Sequence, residues 1–171
     1  YGIRIYLDAT RMVENCFFIQ EREEGYSTKS IATILREFCS YTDGAWMSAK
    51  KDNLVNIGGW LALNHEDVFE LACNMVVIYE GLHTYGGMAG RDMEAVAIGI
   101  EESVQDDHVR ARIGQVRYLG DLLSDWGVPM VQPVGGHAIF VDAKRMYPHI
   151  PQDLFPAQTL AAELYLDSGV R

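Results

Sequence analysis

Two stretches, Ile3-Arg-Ile-Tyr-Leu-Asp-Ala-Thr-Arg11 and Ala45-Trp-Met-Ser-Ala-Lys-Lys-Asp52, decide the fold. Each opens on β-forming residues and closes on charge: Asp8 ends the first, Lys50-Lys51-Asp52 ends the second. Between them, Lys29 to Tyr41 carries Ile31, Ile34, Leu35 and Phe38 at helical spacing, with Ser27 or Thr28 as the expected N-cap. Strand, helix, strand is the pattern of a parallel pair joined by a crossover. Ligands of parallel sheets bind off the carboxyl ends of the strands. Asp8 and Lys51 are therefore expected to converge on one ligand.

Outward from this unit, Thr42-Asp-Gly44 reads as a turn. Leu54 to Leu63 reads as a strand interrupted by Gly58-Gly59, because glycine pairs in strands mark bulges or close backbone approach. Asp67 to Asn74 reads as a short helix, and the apolar run Met75 to Tyr79 is strand-sized. His83-Thr-Tyr-Gly-Gly-Met-Ala-Gly90 is a glycine-rich loop. Met93, Val96, Ala97, Ile100 and Val104 share one helical face, and Val109, Ile113, Val116, Leu119, Leu123 and Trp126 share another. The polar patch Gln105-Asp-Asp-His108 between them predicts two helices or a bent one. Gly127-Val-Pro129 is a helix stop. Val128 to Val131 and His137 to Val141 are expected to pair around Pro133-Val-Gly-Gly136, and Phe155 to Ser168 to form a last helix. The alternation predicts an α/β fold with a mostly parallel sheet, and a second, smaller subdomain from about residue 128.

The chain has 171 residues, of which 49% are hydrophobic and 22% charged, as in a folded domain. No apolar run approaches the roughly 18 residues a membrane span needs. Fourteen basic and twenty-four acidic residues give a net charge of −10, which is poorly matched to a phosphate backbone and argues against nucleic acid. Cys16, Cys39 and Cys73 are odd in number and form no CxxC, which points to buried free thiols in a reducing compartment. No basic stretch followed by an apolar one opens the sequence, so no secretory signal is expected. It starts at Tyr1 without an initiator Met, nearly inside a strand pattern, and stops at Arg171 just after a helical one. The expectation is the middle of a longer polypeptide, so that any site it carries is half a site.

A carboxylate and a lysine on neighbouring strand ends suit pyridoxal phosphate. The lysine can form a Schiff base with the aldehyde carbon. The carboxylate can keep a proton on the pyridine nitrogen, so the ring accepts the electrons of a substrate carbanion. Spacing alone also fits a helix-capping aspartate and a solvated Lys-Lys turn.

Longer motifs add to this. Asp8-Ala-Thr-Arg11, Met47-Ser-Ala-Lys-Lys-Asp52, Val55-Asn-Ile-Gly-Gly59, Thr84-Tyr-Gly-Gly-Met-Ala-Gly-Arg-Asp-Met93, Gln115-Val-Arg-Tyr-Leu-Gly120, Val134-Gly-Gly-His-Ala138 and Phe155-Pro-Ala-Gln158 follow one another along the chain. In this order they resemble the β-eliminating aromatic amino-acid lyases, tryptophanase and tyrosine phenol-lyase, of fold type I among pyridoxal-phosphate enzymes. The resemblance spans essentially the whole chain.

The resemblance implies that residues 1–127 are the C-terminal half of the cofactor-binding large domain and 128–171 the beginning of the small α+β domain. It implies Lys51 as the cofactor-bearing lysine and proton carrier, and Asp8 as the partner of the ring nitrogen. Arg11 would lie near the ring hydroxyl, Ser48 and Lys50 would contact the phosphate, and the backbone carbonyl of Asn56 would help bind potassium. The aromatic ring that stacks on the cofactor, the main phosphate turn and the substrate-carboxylate arginine have no counterpart here. Tyr85 could approach the site or a subunit interface, whereas His83, Arg91 and His137 could equally tie down loops.

The implied reaction is β-elimination from a small-molecule amino acid in a cytoplasmic homo-oligomer, a dimer of dimers at full length. Asp8-Ala-Thr-Arg11 looks more like the phenol-lyase; Ser48-Ala-Lys-Lys51 and His149 to Gln158 look more like tryptophanase, toward which the sequence leans. Two alternatives stay open: another fold type I reaction such as transamination, and a catalytically inert fragment.

Overall fold

The structure is a computed structural model that describes residues 2–171; Tyr1 lies outside the described residues. The chain divides into two compact units, residues 1–111 and 112–171.

The first unit is built on three strands, β1 (Tyr6–Asp8), β2 (Gly44–Ser48) and β3 (Gly59–Leu63), in the order β1-β2-β3. β1 and β2 run parallel, with Asp8 level with Trp46. β3 returns antiparallel beside β2, setting Gly59 against Ser48. Gly44 is required here: a Cβ on it would come 2.7 Å from the Ala62 carbonyl oxygen.

Two helices make the crossover from β1 to β2, α1 (Met12–Arg22) and α2 (Ile31–Cys39). α2 was expected, and α1 was not. α1 buries Met12, Val13, Cys16 and Phe17 along one face, and α2 adds Ile31 and Ile34 to the same core. Ser30 caps α2, accepting the Thr33 N–H at 3.2 Å, in place of the expected Ser27 or Thr28. The reason is local: residues 24–28 are still in turns, and Ser30 is the residue with the extended backbone a cap needs.

The turn α3 (Ala49–Asp52) follows β2 directly. The strand expected from Leu54 is only Gly59–Leu63, because Leu54 (φ 59°) and Gly58 (φ 101°) take left-handed backbone that no strand tolerates. The short helix expected at 67–74 is α4 (Glu66–Tyr79), which absorbs the strand-sized apolar run 75–79. Periodicity alone does not separate a buried strand from an apolar helix end. α4 has no buried residue, and Phe69, Leu71, Ile78 and Tyr79 on it are all more than half exposed. α5 (Gly90–Ser103) and α6 (Asp106–Asp125) are two helices, broken at the predicted polar patch. Asp106 accepts from Ile31 N at 3.0 Å and from Gln20 Nε2 at 2.9 Å, fastening the crossover pair.

The second unit begins within α6 and holds α7 (Ala143–Met146) and α8 (Pro156–Ser168). The expected β pair reduces to one antiparallel bridge, Met130 with Val141, beside a bond from Val131 N–H to the Phe140 carbonyl at 2.8 Å. The Gln132–Pro133 peptide between these arms is cis. All three cysteines are free, but only Cys16 is buried; Cys39 and Cys73 are half-buried.

Candidate active site

The parallel pair brings two turns together at its carboxyl edge. After β1 the chain turns through Ala9, Thr10 and Arg11 into α1; after β2 it turns through α3. Ala9 N–H still donates to the Trp46 carbonyl at 2.8 Å, so the pairing extends past the end of β1. Thr10 then bridges the turns. Its Oγ1 accepts the Ser48 N–H at 3.4 Å, and its own N–H donates to Asp8 Oδ1 at 3.1 Å.

Asp8 is exposed at the tip of this edge. Its carboxyl is held below the usual aspartate range, first by the Thr10 side chain, then by the Thr10 N–H, with a smaller contribution from Trp46. Hydrogen bonds to the ionised form keep it ionised. The site therefore presents a fixed negative charge.

Arg11 reaches across to the other turn. Its Nη1 lies 3.2 Å from Asp52 Oδ1 and 3.5 Å from Glu14 Oε1. Both carboxylates are buried, with side chains 2% and 4% exposed, while Arg11 is 31% exposed. A buried carboxylate without a cation costs several kcal/mol, on the order of 3–5, so the guanidinium is needed where it stands. Asp52 immediately follows Lys51, so this ion pair ties the lysine turn to the aspartate turn.

The next residue, Asn53, is buried too. Its Nδ2 donates to Ser103 Oγ at 3.2 Å, and its Oδ1 accepts Trp60 Nε1 at 3.1 Å. Ser103 Oγ in turn donates to the Ile100 carbonyl at 3.0 Å. Gly99 packs against this point: a Cβ there would overlap the Asn53 carbonyl oxygen. α5 is thereby locked against the end of α3.

Against these anchored neighbours, Lys50 and Lys51 are exposed. Ser48 is half-buried at the N-cap of α3, and its side chain makes no capping bond there. Asp8, Arg11, Ser48, Lys50 and Lys51 therefore share one strand-end ledge. Asn56 lies farther on, exposed in the irregular stretch before β3. Among the described residues, no group of three or more His, Cys, Asp or Glu is placed to hold a metal ion.

A cavity of about 680 Å³ in the same unit lies elsewhere, between β3, α4 and the glycine-rich loop. Ile57, Trp60, Phe69, His83, Tyr85 and Met88 line it, and none of the five ledge residues does. Arg91 is 84% exposed beside Asp92, and His137 packs edge-on against Phe140. Thr10, Asp52 and Asn53 carry the geometry of the ledge and were not singled out from sequence.

Over residues 1–170 the chain matches the family described as Beta-eliminating lyase. It belongs to that family, whose fold is type I among pyridoxal-phosphate enzymes. Along all 171 residues it is 74% identical to a tyrosine phenol-lyase of Nostoc punctiforme, 62% to one of Symbiobacterium thermophilum and 59% to one of Clostridium tetani. It spans 37% of the length of each of these relatives. All three of these relatives are named for tyrosine, not for tryptophan.

Proposed function

We propose that the ledge is one half of the active site of a pyridoxal-phosphate-dependent tyrosine phenol-lyase, converting L-tyrosine and water to phenol, pyruvate and ammonia. The observation that carries this reading is the pairing of Arg11 with Asp52 at 3.2 Å, which fixes the Asp8 turn beside the Lys51 turn in a chain of this family. The substrate choice rests on the named relatives, the first of them 74% identical.

The groups on the ledge fit the cofactor chemically. Asp8, kept ionised by Thr10, would pair with the ring nitrogen. Lys51 would hold the aldehyde. The Ser48 hydroxyl and the Lys50 ammonium suit a dianionic phosphate. Arg11 would stand near the ring hydroxyl with its charge shared by Asp52 and Glu14. When bound, the cofactor supplies an electron sink for the carbanion at the substrate α-carbon. The Lys51 amine would move the proton at the substrate α-carbon. The ledge is open, and under this reading the groups that exclude water would be contributed by the rest of the full-length protein.

Residues 1–127 are read as part of the large domain and 128–171 as the start of the small one; the latter stretch lies wholly within the second compact unit. Asn56 is proposed to give its carbonyl oxygen to potassium, a ligand type that hard cations take. The apolar, unburied α4 supports a homo-oligomeric parent, because so large an apolar surface is normally covered. No described helix is long and apolar enough to cross a membrane; a cytoplasmic location is part of the proposal.

Product analysis of the full-length protein tests the substrate. Phenol and pyruvate in equal amounts from L-tyrosine are expected. Indole from L-tryptophan, with no phenol from tyrosine, would return the assignment to tryptophanase, which Ser48-Ala-Lys-Lys51 and His149 to Gln158 resemble.

A further inference from the structure

Lys51 is followed in the chain by two buried polar residues, Asp52 and Asn53. The residue after it, Asp52, is almost fully buried, yet it ends a four-residue turn that is otherwise open to solvent at Lys50 and Lys51. A carboxylate in such a place is expensive to bury and carries no chemistry on the exposed face. Its Oδ1 faces Arg11, 41 residues away and three positions past Asp8. Arg11 is itself shared with the buried Glu14 of α1. One guanidinium thus sits between a carboxylate of the Asp8 turn's own helix and a carboxylate of the Lys51 turn.

We propose that Asp52 is a positioning residue: through Arg11 it sets the spacing between the Lys51 amine and the Asp8 carboxylate, and it aims the guanidinium. The inference rests on the reading of the ledge as a pyridoxal-phosphate site. The start of the α3 turn is tied by backbone donors, Ser48 N–H to Thr10 Oγ1 and Ala49 N–H to the Gly58 carbonyl. Asn53, bound to Ser103 and Trp60, holds the far end of that turn to α5 and β3. The Arg11–Asp52 bridge holds the near side to β1. With both in place the backbone at Lys51 is held from two sides. Loss of Asp52 would free the guanidinium to swing toward Glu14 and release the turn from the aspartate.

A double-mutant cycle in the full-length protein tests this. Asp52→Asn is expected to weaken pyridoxal phosphate binding on the order of tenfold, and to have less than about a twofold effect when Arg11 is already alanine. In cofactor-free protein, the same variant is expected to speed amide exchange across residues 48–54 while exchange in α6 stays unchanged. Equal losses in both Arg11 backgrounds, or unchanged affinity and exchange, would overturn the proposal. If Asp52→Asn does not fold, Asp52→Glu replaces it. A smaller loss that vanishes with Arg11→Ala supports the role, and a loss indifferent to Arg11 refutes it. Wild-type protein that binds no pyridoxal phosphate, or carries it on another lysine, refutes the underlying site reading instead.

Discussion

Arg11 and Asp52, 41 residues apart in sequence, meet at 3.2 Å across the ends of two adjacent parallel strands. The pair is unequal in burial: the carboxylate is closed off and the guanidinium is a third exposed. Such a bridge is stiff at its buried end and accessible at the other. That suits a group that must hold one turn and still touch a ligand above it.

Lys51→Ala in the full-length protein is expected to abolish covalent cofactor attachment and to cut kcat by at least about a thousandfold, within the range a proton-carrying group supplies. Steady-state kinetics at saturating pyridoxal phosphate measure this. Activity within tenfold of wild type would remove Lys51 from the chemistry.

Asp8 is held below the ordinary aspartate range by Thr10. A depressed carboxyl stays charged from neutral pH down to below its ordinary value of 3.8. Asp8 should therefore impose no acidic limb on the rate profile between pH 5 and 8. Asp8→Asn removes the charge and is expected to reduce kcat by about a hundredfold or more while leaving the fold intact. Thr10→Val removes the hydroxyl bond and should raise the Asp8 pKa, giving a milder loss.

Gly99→Ala places a methyl group on the Asn53 carbonyl oxygen. Overpacking of this kind costs about 1–3 kcal/mol. The expected result is a lower denaturation midpoint together with weaker cofactor binding, because the displaced atom belongs to the second residue after Lys51. Gly114→Ala, where a Cβ meets open space, is the matched control and should be neutral or slightly stabilising.

Acid stability follows from three further carboxylates. Glu37 is held low by Lys29 and then Tyr26, Asp43 by His65 and then the Ile5 N–H, and Asp67 by Arg4. A group whose folded pKa is depressed contributes stability above its unfolded value and loses it as pH falls through the folded one. Here the ordinary values are 4.5 for Glu37 and 3.8 for the aspartates. The unfolding midpoint should be flat from pH 7 to 5 and fall below about pH 4.5. Asp43→Asn should flatten part of that fall.

The parallel pair and the two strand-end motifs were legible because alternating apolar residues and terminal charges sit within a few positions of one another. The partners of those motifs were not. Asp52 is 41 residues from Arg11, and Asn53 is 50 from Ser103, and nothing local marks either as buried. Glu14, the other carboxylate on Arg11, lies in α1, a helix the sequence reading does not predict. One signal was available: Gly99 lies inside an otherwise periodic helix, where glycine is costly without a reason such as close packing. The motifs divide on the substrate, Asp8-Ala-Thr-Arg11 resembling the phenol-lyase and Ser48-Ala-Lys-Lys51 tryptophanase, whereas the relatives named above are tyrosine phenol-lyases.

The proposed site depends on Lys51 carrying the cofactor opposite Asp8. Borohydride reduction of the full-length protein loaded with pyridoxal phosphate, followed by peptide mapping, addresses it directly. One pyridoxyl group on Lys51, lost in Lys51→Ala, is the predicted result; a label on any other lysine, or no label at all, contradicts it.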